Sequence, residues 1–179
     1  LIATTRDLKQ STMQRLFTHG LRGEPLKDTE IGVMPESWDI ARLDSCCDVL
    51  SSSLSYSDLL DVEDSATDAS VKVHGIKVSD MNLSGNEVEI TRANLLRHLE
   101  SSLAERKTVP AETVVFPKRG AAIATNKKRL TTTWTVLDPN LIGVRPKQGL
   151  NYRYLFYWFE QFDLRTITEP GPTPQLNKK

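Results

Sequence analysis

The stretch LKQSTMQRLFTHGLRGE, Leu8 to Glu24, constrains the fold more than any other part of the chain. Leu1, Leu8, Met13, Leu16, Phe17 and Leu21 fall on one side at a 3.6-residue period, with Arg6, Lys9, Gln10 and Arg15 elsewhere. Gly20 and Gly23, followed by Pro25, are helix-stop signals. The pattern predicts a helix over residues 1–21, about 30 Å long at 1.5 Å per residue. Its apolar stripe needs a covering surface, either the following domain or a second helix in a coiled-coil-like pairing. The chain starts without Met and reads as if entered mid-helix, which is expected of a piece of a longer protein.

Beyond the helix, residues 24–37 (EPLKDTEIGVMPES) are rich in turn formers and read as a linker, and Trp38 opens the globular part. The expected organisation is a helix over 1–23, a linker over 24–37 and one domain over 38–179. Residues 51–70, rich in serine and acid, read as a solvated surface excursion. Val71, Val73, Ile76 and Val78 flank Gly75 at a strand period, and 82–86 form a turn. Leu95, Leu96, Leu99 and Leu103 predict a helix over Thr91 to Lys107 with Thr91 as its N-cap. Further strands are expected at 114–116, where Pro117 and Gly120 break the run, at 131–138 and at 140–144. Leu155, Trp158, Phe159 and Phe162 predict a helix over 152–163. Seven of the twelve aromatic residues lie there, a spacing that argues for core rather than a base-stacking platform. The order of elements implies an α+β fold, a mixed or antiparallel sheet with flanking helices, preceded by the end of a long helix.

At 179 residues the chain has room for one domain, or one domain and an appended element. With 39% hydrophobic and 26% charged residues it is expected to be globular rather than disordered. No apolar run reaches the roughly 18 residues of a membrane-spanning helix, and no secretory signal opens the chain. Cys46 and Cys47 are adjacent, an awkward geometry for a mutual disulfide, and His19, His74 and His98 lie far from both. Two reduced thiols in a cytoplasmic protein, with no metal site, is the expectation.

The search for chemistry returns little. No phosphate-binding glycine loop and no G-x-G occurs, and DPNL (138–141) lacks the second proline and the aromatic of a base-holding methyltransferase loop. Glu105 and Lys107 match the E-x-K half of a magnesium-dependent nuclease, a short pattern that reads more simply as a solvated helix end. No catalytic residue and no cofactor is expected. The remaining alternatives are that small nuclease, or a protein–protein interaction module working through the first helix.

Net charge is zero, yet the charges are segregated. Residues 44–70 hold seven acids and no Lys or Arg, whereas 113–137 hold five bases and no acid. In VVFPKRGAAIATNKKR, Lys118 and Arg119 follow a strand that breaks at Pro117, so both are expected at a sheet end. Gly120 allows the backbone close approach to a polyanion. Asn126, Lys127, Lys128 and Arg129 make a second group. Arg and Asn suit base edges, and Lys suits phosphate. Lys77 and Ser79, in KVSDMNLSGN, belong to a second candidate surface. Composition alone leaves nucleic acid, a solvated loop and other anions all open.

Three stretches together resemble specificity subunits of type I restriction–modification systems. Leu16, Phe17, Thr18, Gly20, Leu21, Arg22 and Gly23 fill the L-F-T-x-G-L-R-G pattern that ends a spacer helix there. Ile31, Gly32, Pro35, Trp38 and Leu43 fill the I-G-x-x-P-x-x-W-x-x-x-x-L pattern that opens a target recognition domain. VVFPKRG is similar to a mid-domain segment, and GPTPQLNKK to the G…N segment that closes such domains. The resemblance covers nearly the whole chain, but shows one domain and one helix end where the family carries two of each. It implies a non-catalytic reader of double-stranded DNA that recognises one half of a bipartite target. Its implied partners are methyltransferase and restriction/translocase subunits, which supply S-adenosylmethionine-dependent adenine methylation and ATP-driven cleavage. Spacer-helix pairing, within a full subunit or with a second copy, is implied as well.

Overall fold

A computed structural model describes residues 2–169, 171 and 174–176. Leu1, the side chain of Arg6, and Asn177 of the closing motif lie outside the described residues. The chain divides into two compact units, Leu1–Ser45 and Cys46–Lys179.

In the first unit, α1 (Ile2–His19) occupies the predicted helical span. Met13 and Phe17 are half-buried, whereas Leu8 and Leu16 stay exposed, so the stripe is only partly covered. Gly20 ends the helix at φ +65°, where its N–H donates to the Leu16 carbonyl at 3.0 Å. Residues 26–35 are a hairpin rather than an irregular linker: β1 (Leu26–Thr29) pairs antiparallel with β2 (Gly32–Pro35). The turn is formed by Glu30 and Ile31, Gly32 and Pro35 are the first and last residues of β2, and Pro25 precedes β1. Thr29 Oγ1 closes the turn by donating to the Gly32 carbonyl at 2.6 Å. A single helical turn, α2 (Leu43–Cys46), follows.

The second unit contains β3 (Cys47–Leu50), α3 (Tyr56–Asp61), β4 (Ser70–Ile76), β5 (Glu89–Ile90), β6 (Leu95–Glu100) and α4 (Ser101–Lys107). It continues through β7 (Val114–Pro117), β8 (Arg129–Thr131), β9 (Trp134–Leu137), β10 (Leu141–Pro146), α5 (Tyr152–Gln161), β11 (Thr168–Glu169) and β12 (Gln175–Leu176). One sheet has the order β3-β10-β7-β8-β5, antiparallel except for the β5–β8 pair. A second has the order β6-β4-β9, with β4 antiparallel to β6 and parallel to β9. The fold is therefore mixed α+β with helices flanking the sheets.

Strand β7 is central, and its sequence says why. Val114 and Phe116 enter a core with Phe156 and Phe159 of α5, while Val115 faces Ile76, Leu137 and Leu141 on the other side. A strand buried on both faces reads as an uninterrupted apolar run. Each such side chain contributes about 1.5–3 kcal/mol by leaving water. Helix α5 is capped by Asn151, whose Oδ1 accepts from Arg153 N at 2.9 Å and Tyr154 N at 3.3 Å. Phe159 packs on Phe116 with ring centroids 5.2 Å apart, and every aromatic residue of α5 and Phe162 joins this core except Tyr154, which is exposed.

Two expectations change. Leu95 to Glu100 is strand β6, and only Ser101–Lys107 is helical. Positions i, i+4 and i+8 share a face in a strand as well as in a helix, so the leucine spacing did not discriminate. Thr91 caps nothing; its N–H and that of Arg92 donate to Asn86 Oδ1 at 3.0 and 3.1 Å. The 51–70 excursion in turn contributes to the core. There α3 opens with a Ser55–Asp58 capping box and buries Leu59 fully beside Val73, Leu95, Leu99 and Val136.

Candidate nucleic-acid interface

Pro117 is the last residue of β7, so the chain turns out of the sheet at Lys118. Lys118 N donates to the Asn140 carbonyl at 2.8 Å, and the Lys118 carbonyl accepts from Leu176 N at 2.9 Å. Gly120, at φ +71°, donates to the Pro174 carbonyl at 2.7 Å and starts a 3₁₀ turn, Ala121–Thr125. That turn ends on Asn126 in the left-handed region, at φ 53° and ψ 26°. Beside Gly120 lies an open groove of about 320 Å³, bounded by Ala121, Ile123, Arg165 and Pro174.

The basic stretch then divides by burial. Lys118 is half-buried and Arg119 exposed. Lys127 is half-buried and its ammonium donates to Asn82 Oδ1. The expectation that all five cations are displayed does not hold for Lys128, whose side chain is 0% exposed. Its ammonium donates to the Phe162 carbonyl at 2.6 Å and to Asn126 Oδ1 at 2.7 Å. Burial lowers the Lys128 pKa to about 8, against the opposing pull of Glu160 and Asp163. A cation enclosed in this way has no surface to offer a phosphate. Asn126 is committed too, since its Oδ1 also accepts from Leu164 N at 3.0 Å. Together Asn126 and Lys128 fasten the chain that leaves α5. The Arg129 guanidinium is half-buried and bound to the Lys128 and Met81 carbonyls at 2.7 and 3.1 Å.

The second candidate surface meets the first. The contacts Lys127–Asn82 and Arg129–Met81 bring residues 77–86 against residues 127–129. Ser79 is exposed, and the Lys77 ammonium lies 4.2 Å from the centre of the Tyr56 ring. Two buried polar residues, neither of them expected to matter, hold this segment. Asp80 accepts from Lys77 N at 2.8 Å and Asn94 N at 2.9 Å. Asn86 donates to the Asp80 and Arg92 carbonyls at 2.8 and 2.7 Å.

At the edge beside Gly120 the chain's last described strand returns. Arg119 bridges antiparallel to Gln175, and Gln175 stands opposite Glu169 across the β11–β12 pair. Arg119, Gln175 and Glu169 are all exposed. Their neighbours Leu176 and Thr168 are half-buried, Leu176 against the α5 core. Nothing in the sequence signals that residue 175 lies beside residue 119.

Glu105 and Lys107 are exposed on α4, and among the described residues no group of three or more His, Cys, Asp or Glu is placed to hold a metal. The larger cleft, about 590 Å³, is lined by residues of mixed charge that include Asp48, Glu112, Arg145 and Lys147. Burial, then Cys46, push the Cys47 thiol up to about 12, so it stays protonated. Among the described residues no helix is long and apolar enough to cross a membrane.

No family model and no curated protein matches the chain. Two solved structures resemble its fold. One is the HsdS subunit from Thermoanaerobacter tengcongensis, with TM-score 0.47 and 14% identity over 92% of this chain and 37% of that one. The other comes from work on complex assembly and conformational transition of the type I R-M system, with TM-score 0.46, 14% identity and the same coverage. The chain thus spans 37% of the length of either.

Proposed function

We propose that this chain is a non-catalytic DNA target recognition module of the type I specificity-subunit kind. Its second unit would read one half of a bipartite duplex target, and α1 would be the end of a spacer helix. One observation carries most weight: the two sequence motifs behind the resemblance meet in space. A Cβ on Gly20, from the helix-ending motif, would lie 2.9 Å from Pro35 Cγ and 3.7 Å from Trp38 Cζ2, both from the domain-opening motif. Ser37 N donates to Glu24 Oε2 at 3.2 Å and Glu36 N to the Pro25 carbonyl at 2.9 Å, tying the same two segments. Motifs that specify one packed junction are more informative than two matches found independently. The display of Arg119 at the end of β7 agrees with a surface that meets DNA.

On this reading the chain works with methyltransferase and restriction/translocase subunits, and the partly open stripe of α1 serves helix pairing. The test is functional. Residues 31–179 are grafted into a complete specificity subunit, and methylated adenines are mapped across a genome. A new half-site is the expected result; an unchanged target in an active complex rejects the proposal. Binding of the chain to duplex DNA should also weaken with salt, by about 0.9 in log–log slope for each phosphate neutralised.

A further inference from the structure

We infer that Arg119, Gln175 and Glu169 form a base-reading row, in which Gln175 and Glu169 set specificity beside Arg119. The inference rests on the DNA-reading proposal above and names the side chains that would do the reading. Residues directly opposite each other in an antiparallel ladder point to the same face. The isolated Arg119–Gln175 bridge and the Gln175–Glu169 pair of the β11–β12 ladder therefore align three side chains across three adjacent chain segments. Pleating sends alternate residues to opposite faces, and the burial pattern agrees. Gln175 and Glu169 are exposed, whereas Leu176 and Thr168 are half-buried, with Leu176 against the α5 core. That anchor sets the register, because a slip of one residue would turn Leu176 outward and Gln175 inward. Two backbone hydrogen bonds fasten the edge, Gly120 N to the Pro174 carbonyl and Leu176 N to the Lys118 carbonyl.

The chemistry of the row suits base edges rather than phosphate. Arginine donates in pairs to guanine O6 and N7, glutamine pairs with adenine N6 and N7, and glutamate accepts from cytosine N4. A carboxylate in a surface meant only to hold phosphate would be repelled. Strands lie about 4.7–4.9 Å apart, so the row spans roughly 10 Å. At about 3.4 Å per base pair this covers roughly three steps of a duplex. The major groove, about 12 Å wide, admits a β-ribbon.

The test is selection of bound sequences from a randomised duplex library at low salt, using the 179-residue chain. The wild type is compared with Arg119→Ala, Gln175→Glu and Glu169→Gln, with circular dichroism as the fold control. Gln175→Glu and Glu169→Gln are near-isosteric and exposed, so both are expected to fold. The wild type should enrich a motif. Gln175→Glu should switch one position from adenine towards cytosine, and Glu169→Gln should switch a nearby position the other way. Arg119→Ala should relax a guanine, each change altering discrimination about 5- to 150-fold. A wild-type motif left unchanged by all three substitutions overturns the row while the DNA-reading proposal stands. A wild-type chain that enriches no motif overturns both.

Discussion

Replacing Lys128 with methionine separates a buried structural cation from a DNA contact. Methionine keeps the length of the side chain and removes the ammonium that donates to the Phe162 carbonyl and Asn126 Oδ1. In the wild type the Lys128 pKa is lowered by burial to about 8, against 10.5 for the ordinary group. Between those values the unfolded chain binds more protons than the folded one, so stability rises with pH. Below pH 8 both states are protonated and the net cost of holding the charged form, about 3 kcal/mol, is present. About 2 kcal/mol of that cost is recovered between pH 7 and pH 9.5, from the difference between the two titration curves. Urea unfolding of wild type and Lys128→Met at both pH values isolates this term, because the other titrating groups are common to the two proteins. The wild type should gain about 2 kcal/mol relative to the variant across the interval. The slope of DNA affinity against salt should be the same for both. Parallel stability curves, or a salt slope smaller by about 0.9 in the variant, would refute the argument that Lys128 is enclosed.

Gly20→Ala should destabilise the helix–hairpin junction by about 1–2 kcal/mol from the left-handed backbone alone, with more from the contact on Pro35, read as faster amide exchange over residues 16–38. Gly75→Ala would set a methyl 2.8 Å from Leu95 Cδ2 and 2.9 Å from Leu59 Cδ2; overpacking of this kind costs about 1–3 kcal/mol in denaturant unfolding, and an unchanged midpoint would contradict the packing. His74 is buried, neither ring nitrogen has a hydrogen-bond partner among the described residues, and burial, then Lys72, lower its pKa. The unfolded chain therefore takes up the proton first, so stability should fall as pH drops below about 6.5, and His74→Leu should lessen that fall in thermal unfolding at pH 7 and pH 5.

Much of this protein is legible from local pattern. Helix α1 with its glycine stop and α5 with its buried aromatic stripe are predicted from periodicity, and strand β7 from a short β-branched run broken by Pro117 and Gly120. Leu95 and Leu99 show where this ends: their spacing suits both geometries, and pairing with β4 decides for a strand. The acid-rich segment shows the same thing for burial, since Leu59, with Leu54, Tyr56 and Val62 packed around it, joins the core.

Residue chemistry by itself determines that cations gather between Lys118 and Arg129, and that Gly20 and Pro35 belong to recognisable motifs. Which cations face solvent, and what lies beside them, only the tertiary structure decides. Lys127, Lys128 and Arg129 are neighbours in sequence, yet one reaches Asn82, one is enclosed under Phe162 and one is held on Met81. Arg119 is brought beside Gln175 and Glu169 by an isolated bridge between segments far apart in the chain. Exposure and cross-strand alignment depend on contacts between distant segments, and a local pattern carries no information about distances of that kind.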